Sequence, residues 1–148
     1  MEKSKVALVK SPVTPDAAGI DAMIRQAVDL LGGMKKFVKP GDNVVIKGNF
    51  FAPYPPPVIV DRRTVAALVR QFYEAGAGSV TLCEAVSVGT KLGRGQSTEY
   101  VLDEMGVRDA AEAAGARVVC LEDEERVNIK VPDGKCIGEV YYPKLMRD

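Results

Sequence analysis

The sequence predicts an α/β fold: a mostly parallel, three-layer α/β/α sheet with a C-terminal antiparallel hairpin. Three observations carry that expectation. Short β-rich runs alternate with segments whose apolar residues recur at helical spacing, the order that builds parallel sheets. Turn residues cluster at the ends of nearly every run. The last two β-rich runs differ, because only Pro132-Asp133-Gly134 and its neighbours separate them, and that short turn makes a hairpin.

The elements follow in order. Lys5 to Lys10 is β-rich and weakly alternating, and Ser11-Pro12 stops it, so a first strand is expected there. Ile20, Met23, Ile24, Ala27, Val28 and Leu31 make one apolar helical face, which Gly32-Gly33 ends. Lys39-Pro40-Gly41-Asp42 is a turn, and Asn43 to Lys47 reads as a second strand buried on both faces. Pro53, Pro55, Pro56 and Pro57 impose an extended loop. Asp61 is an N-cap for a helix from Arg62 to Ala75, with Val65, Leu68, Val69 and Phe72 on one face.

Ser79 to Cys83 is the third strand. Gly89 to Gln96 reads as a glycine-rich loop, followed by helical stretches at Glu99 to Met105 and Asp109 to Ala114. Ala116 to Leu121 is the fourth strand, and Val127 to Val131 with Cys136 to Tyr142 form the hairpin. The whole is a Rossmann-like arrangement in one domain, 1–148. That length suffices to bury about 70% of the unfolded surface.

Composition narrows the function classes. Twenty basic and twenty acidic residues cancel, so no bulk field favours nucleic acid or an anionic membrane. No basic cluster interleaved with aromatics appears, and neither nucleic acid nor membrane is an expected partner. No apolar run approaches the roughly 20 residues needed to span a bilayer, and the N-terminus lacks a signal-peptide core. A cytoplasmic location is expected. The chain has no histidine, which removes the usual zinc sites and any Ser-His-Asp or Cys-His chemistry within it. Cys83, Cys120 and Cys136 are widely spaced and odd in number, which does not make a disulfide framework.

Parallel strands deliver their carboxyl ends to one edge, where open α/β sheets bind ligands. That edge is expected to collect Lys10-Ser11, Lys47-Gly48-Asn49, Cys83-Glu84 and Glu122-Asp123. Lys47 can contact an anion or carbonyl while Asn49 orients it. The competing reading is a lysine reaching for water and an asparagine closing its own loop. In the first role Lys47 should be dispensable for stability. Lys91 and Arg94 in the glycine-rich stretch, with Ser97 and Thr98 at a helix start, can add cations and N–H donors. The plain alternative is a surface loop with an ordinary cap. Glu84 joins the same edge. Cys83 beside Glu84 lacks the cation that would activate a thiol and reads as core. Glu122-Asp123-Glu124-Glu125 reads as a solvated connector rather than a chelator.

Several pieces, in order, resemble the N-terminal half of the domain-of-unknown-function 362 family. They are Val6-Ala7-Leu8-Val9-Lys10, Asp29-Leu30-Leu31-Gly32-Gly33-Met34, Val38 through Asn49, Val65 to Gly76, and Tyr142-Pro143-Lys144. The family usually places a proline between the lysine and asparagine that here flank Gly48. The resemblance implies an iron–sulfur-associated context without an established activity. It implies that this chain holds no cofactor of its own. An iron–sulfur cluster, a missing C-terminal half or a partner subunit would then lie outside it.

Two functions are consistent with these features. The leading one is an α/β domain binding a small anionic ligand at the carboxyl edge. The alternative is a non-enzymatic interaction domain that docks a partner through an exposed strand edge, with Tyr141-Tyr142 as the docking strip. No catalytic residue stands out.

Overall fold

The computed structural model describes residues 4–11 and 13–147. Helix α1, Ala17–Leu30, starts where the Asp16 carboxylate accepts the Gly19 N–H at 2.8 Å. A 3-10 turn, Met34–Lys36, leads to β1, Asn43–Lys47. The proline loop then reaches α2, Arg62–Ala75, which ends in left-handed Gly76. Strand β2, Ser79–Glu84, is followed by α3 (Val88–Arg94), α4 (Thr98–Glu104) and α5 (Val107–Ala113). Strand β3, Arg117–Cys120, precedes the hairpin of β4 (Arg126–Lys130) and β5 (Glu139–Pro143).

The expected α/β class is the one observed. Strands β1, β2 and β3 pair in parallel in that order, and β4 and β5 pair antiparallel. The register sets Lys47 opposite Cys83 and Glu84 opposite Cys120, so these residues share one edge of the sheet. Central β2 is buried along nearly its whole length. Its Val80 and Leu82 pack with Phe50, Val65, Val69, Val101, Leu102 and Val107. Each such fully buried side chain stabilises by about 1.5–3 kcal/mol. Helix α1 packs on α2. The opposite face holds Cys83, Val119 and Leu121 under Leu145 and Met146. Among the described residues that second covering layer is the 3-10 turn Lys144–Met146, where helices were expected. Among the described residues no helix is long and apolar enough to cross a membrane.

Three further expectations are corrected. Strand β1 is not buried on both faces, since its burial alternates and Val45 is 36% exposed. Lys5 to Lys10 is not a strand, because no described segment pairs with its backbone, although its alternation is β-like. Pro12, expected to stop it, lies outside the described residues. Gly89 to Gln96 is not a loop, because helix α3 runs from Val88 to Arg94. Glycines lower helix propensity, but Ser87 caps this turn by accepting the Thr90 N–H at 3.1 Å, and Thr90 donates to Phe51 O at 2.7 Å. Tertiary contacts override local preference there.

Asp61 caps α2 as expected, accepting the Arg63 N–H at 2.9 Å. The same carboxylate receives Arg63 Nε and Nη2, and those hydrogen bonds hold it below the usual aspartate range. A depressed folded-state pKa adds stability above the unfolded value of about 3.9, which disappears as pH falls through the folded value. Asp61→Asn retains a capping oxygen and loses the charge pair. Urea titrations should show a loss of about 1 kcal/mol at neutral pH that vanishes as pH falls through the depressed folded-state value. A loss independent of pH would mean the pair contributes nothing.

Candidate functional site

Glu84 closes β2 with its carboxylate only 3% exposed, so it must be satisfied internally. Its Oε1 accepts Lys47 Nζ at 2.9 Å and the Ala85 N–H at 2.8 Å. Its Oε2 accepts the Phe50 N–H at 3.2 Å. Three donors, two of them backbone groups leaving neighbouring strands, therefore converge on one carboxylate. The Lys47 side chain is 49% exposed. Its ammonium is tethered at one point and meets solvent elsewhere.

This geometry changes the role expected of Lys47. It neutralises a buried carboxylate, so it is not dispensable for stability. Asn49 donates from Nδ2 to Val58 O at 3.3 Å, and its own carbonyl accepts the Val60 N–H at 3.2 Å. It thus closes the proline loop, as the competing reading anticipated.

Helix α3 is fastened to the segment that follows β1. Phe51 O accepts from Thr90 Oγ1 at 2.7 Å and from the Ser87 N–H at 3.4 Å. Arg94 donates to Tyr54 Oη at 2.6 Å and stacks 5.2 Å from that ring's centroid. Lys91 and Arg94 are exposed on this helix. Lys47, Lys91 and Arg94 are therefore borne by one connected unit at the carboxyl side of the sheet.

Ser97 and Thr98 serve the fold. Ser97 caps α4 by accepting the Tyr100 N–H at 3.1 Å. Thr98 is fully buried, accepts the Val86 N–H at 2.9 Å and donates to Glu122 Oε1. Two buried acceptors, Gln96 Oε1 and Glu122 Oε2, have no hydrogen-bond partner in the structure. Tyr54 and Thr90 enter the site without having been singled out, whereas Glu122 was expected at this edge. The adjacency of the proline run to the Lys47 block was the one available signal for Tyr54.

Cys83 is fully buried. Burial pushes its thiol up, Lys47 pulls it down less strongly, and Glu84 and Glu124 push it up again. Burial raises the Cys120 thiol as well, with Glu122 adding to the effect and Arg108 opposing it. Neither is an activated thiol. Iron–sulfur clusters take four cysteine thiolates. This chain has three cysteines, one of them sealed in the core, and among the described residues no acidic or cysteine group clusters as a metal would need. These residues do not fit a cluster held by this chain alone.

The profile of the family described as "Domain of unknown function (DUF362)" matches residues 44–148. A thylakoid-associated protein of Synechocystis sp. is 30% identical over 87 residues, 58% of this chain and 27% of that relative. The chain thus aligns with little more than a quarter of the relative's length. No solved structure matches it.

Proposed function

The chain belongs to the DUF362 family, and from that premise we propose that it binds a small anionic molecule at the carboxyl edge of its parallel sheet. The ligand class is one bearing a phosphate or carboxylate group. The observation that carries this reading is the tethered, half-exposed Lys47 ammonium at 2.9 Å from Glu84. A cation already placed by a rigid, buried partner loses little freedom when an anion arrives.

Magnitudes decide how many residues must take part. A millimolar ligand requires about 4 kcal/mol, whereas one exposed ion pair contributes about 0.2–1 kcal/mol. Hydrogen bonds to charged groups reach about 1.5–3 kcal/mol each. Lys47 alone is insufficient, and Lys91 and Arg94 must contribute. Asn49 can add its free amide oxygen only toward a donor on the ligand. Ser97, Thr98 and Glu84 support the site from beneath without touching the ligand.

On this reading the chain acts as the N-terminal part of a longer family domain. A further segment or partner subunit supplies any reaction, including any iron–sulfur cluster. The unpaired thiols of Cys83, Cys120 and Cys136 support a cytoplasmic setting.

Titration with inorganic phosphate, followed by amide chemical shifts, tests the proposal. The Lys91→Ala/Arg94→Ala variant should bind at least fivefold more weakly, with the thermal midpoint lowered only by the loss of the Arg94–Tyr54 contact. Absence of saturable binding in the parent, or equal binding by the variant, would overturn it.

One observation favours a second reading, the interaction domain. Tyr141 is 66% exposed on β5, in a two-stranded hairpin whose outer edges are unpaired among the described residues. An exposed aromatic beside a free strand edge is suited to docking a partner strand.

A further inference from the structure

We propose that helix α3 seats this chain on the surface of an anionic membrane, with Val88 and Leu92 entering the headgroup layer and Lys91 and Arg94 meeting the lipid phosphates. Val88 is 72% exposed and Leu92 79%. They stand four residues apart, so they share one face of the helix. Lys91, three residues after Val88, lies on the same side, and Arg94 closes the helix. Both cations are exposed. The other side is fixed, because Thr90 is buried and donates to Phe51 O at 2.7 Å. Helix α3 is therefore held from beneath by a polar contact, and its large apolar side chains point away from the core.

Charge complementarity selects the occupant. The charges of the whole chain cancel, which removes a bulk field and leaves local ones. Neither residues 48–60 nor residues 85–98 include an aspartate or a glutamate. These two segments meet through the Thr90–Phe51 and Arg94–Tyr54 contacts. Glu84, just before the second segment, is buried and taken up by Lys47. Glu99, just after it, belongs to the first turn of α4. The unit thus presents apolar side chains among cations, with no anion of its own. A layer of anionic phosphates over hydrocarbon is the complement of that pattern, and each cation near such a layer gains from the attraction.

Shape favours a membrane over a protein. A Cβ placed on Gly93 would meet nothing within 4 Å, and one on Gly89 would meet only Ser87 Oγ at 3.8 Å. The space beside Val88 and Leu92 is open, so these side chains protrude rather than line a groove. A protein partner needs a shaped, densely packed contact, whereas a fluid headgroup layer moulds itself around protruding side chains. This role rests on Lys91 and Arg94 being the anion contacts proposed for the carboxyl edge, and it adds the surface that presents the anion. A free phosphate ion offers the same charge to the two cations, but Val88 and Leu92 contribute nothing to holding it.

The chain contains no tryptophan, so Leu92→Trp supplies a single fluorescent reporter. With vesicles of phosphatidylcholine and phosphatidylglycerol its emission should shift to the blue and be quenched by brominated acyl chains. Vesicles of phosphatidylcholine alone should leave it unchanged. No shift with the anionic vesicles would overturn the proposal. In vesicle co-sedimentation the Val88→Ser/Leu92→Ser variant, which keeps every charge, should bind roughly tenfold or more weakly than the parent. Its amide chemical shifts outside α3, and its affinity for inorganic phosphate, should match the parent's. Equal vesicle binding by parent and variant would refute insertion. Vesicle binding by a parent that does not bind inorganic phosphate would count against the small-anion reading and for this one. Phosphate binding by a parent that ignores vesicles would do the reverse. Tighter binding to soluble polyglutamate than to vesicles would assign the face to an acidic protein and overturn the membrane.

Discussion

Replacing Glu84 with alanine is expected to lower the unfolding free energy by about 3–5 kcal/mol, a large share of a domain's usual 5–15 kcal/mol. The loss does not come chiefly from the ion pair. Lys47 is half exposed and can turn to water when its partner disappears. The Phe50 N–H has no such exit, because it is buried, and the part-buried Ala85 N–H loses the same acceptor. A buried donor left without an acceptor costs about 1–3 kcal/mol. Two such donors, with the space left by a removed side chain, account for the total. Glu84→Gln keeps the shape and one acceptor oxygen, but its amide must point a donor at Lys47 or at Phe50 N. An intermediate loss is expected. Urea denaturation of both variants checks the order, and an alanine variant within 1 kcal/mol of the parent would show that water replaces the carboxylate.

The reciprocal variant follows the same logic. Lys47→Ala leaves a carboxylate that is 3% exposed with two backbone donors and no cation. That is why a lysine singled out as a ligand contact cannot be removed at no cost to stability. The sequence displays Lys47 and Glu84 at the ends of two β-rich runs, but it does not show that the runs are adjacent in register. A separation of 37 residues hides the pair. The Arg94–Tyr54 contact, 40 residues apart, is hidden for the same reason.

Local signals served better where local chemistry decides. Asn43 to Lys47 and Arg62 to Ala75 were read with their exact ends, because a turn, an aspartate cap and a left-handed glycine bound them. Lys5 to Lys10 shows the limit of that approach. Its alternation states that it is β-prone, but pairing depends on an edge elsewhere, and no described segment pairs with it. Helix α3 failed in the opposite direction. Three glycines in or beside it suggest a loop, while Ser87 and Thr90 fasten it to Phe51. Caps separated by three residues were legible in principle, but the contact with Phe51 was not.

Gly48 is where the second large effect is expected. A Cβ added there would lie 2.8 Å from both Cδ2 and Cζ of Phe50, and closer still to Cε2. The Phe50 ring is fully buried among Ile59, Val65 and Val101, so it has no room to rotate away. Overpacking of this kind costs about 1–3 kcal/mol. The penalty for Gly48→Ala should sit at or above the top of that range, because Phe50 also donates its N–H to Glu84. Displacing Phe50 disturbs that bond and through it the position of Lys47. Glycine here and a buried Phe50 two residues later therefore form one solution. Phe50→Leu shrinks the obstacle and should make the alanine less harmful in combination than alone. A double-mutant cycle with a coupling above about 1 kcal/mol would confirm the clash. Simple additivity of the two losses would place the strain elsewhere.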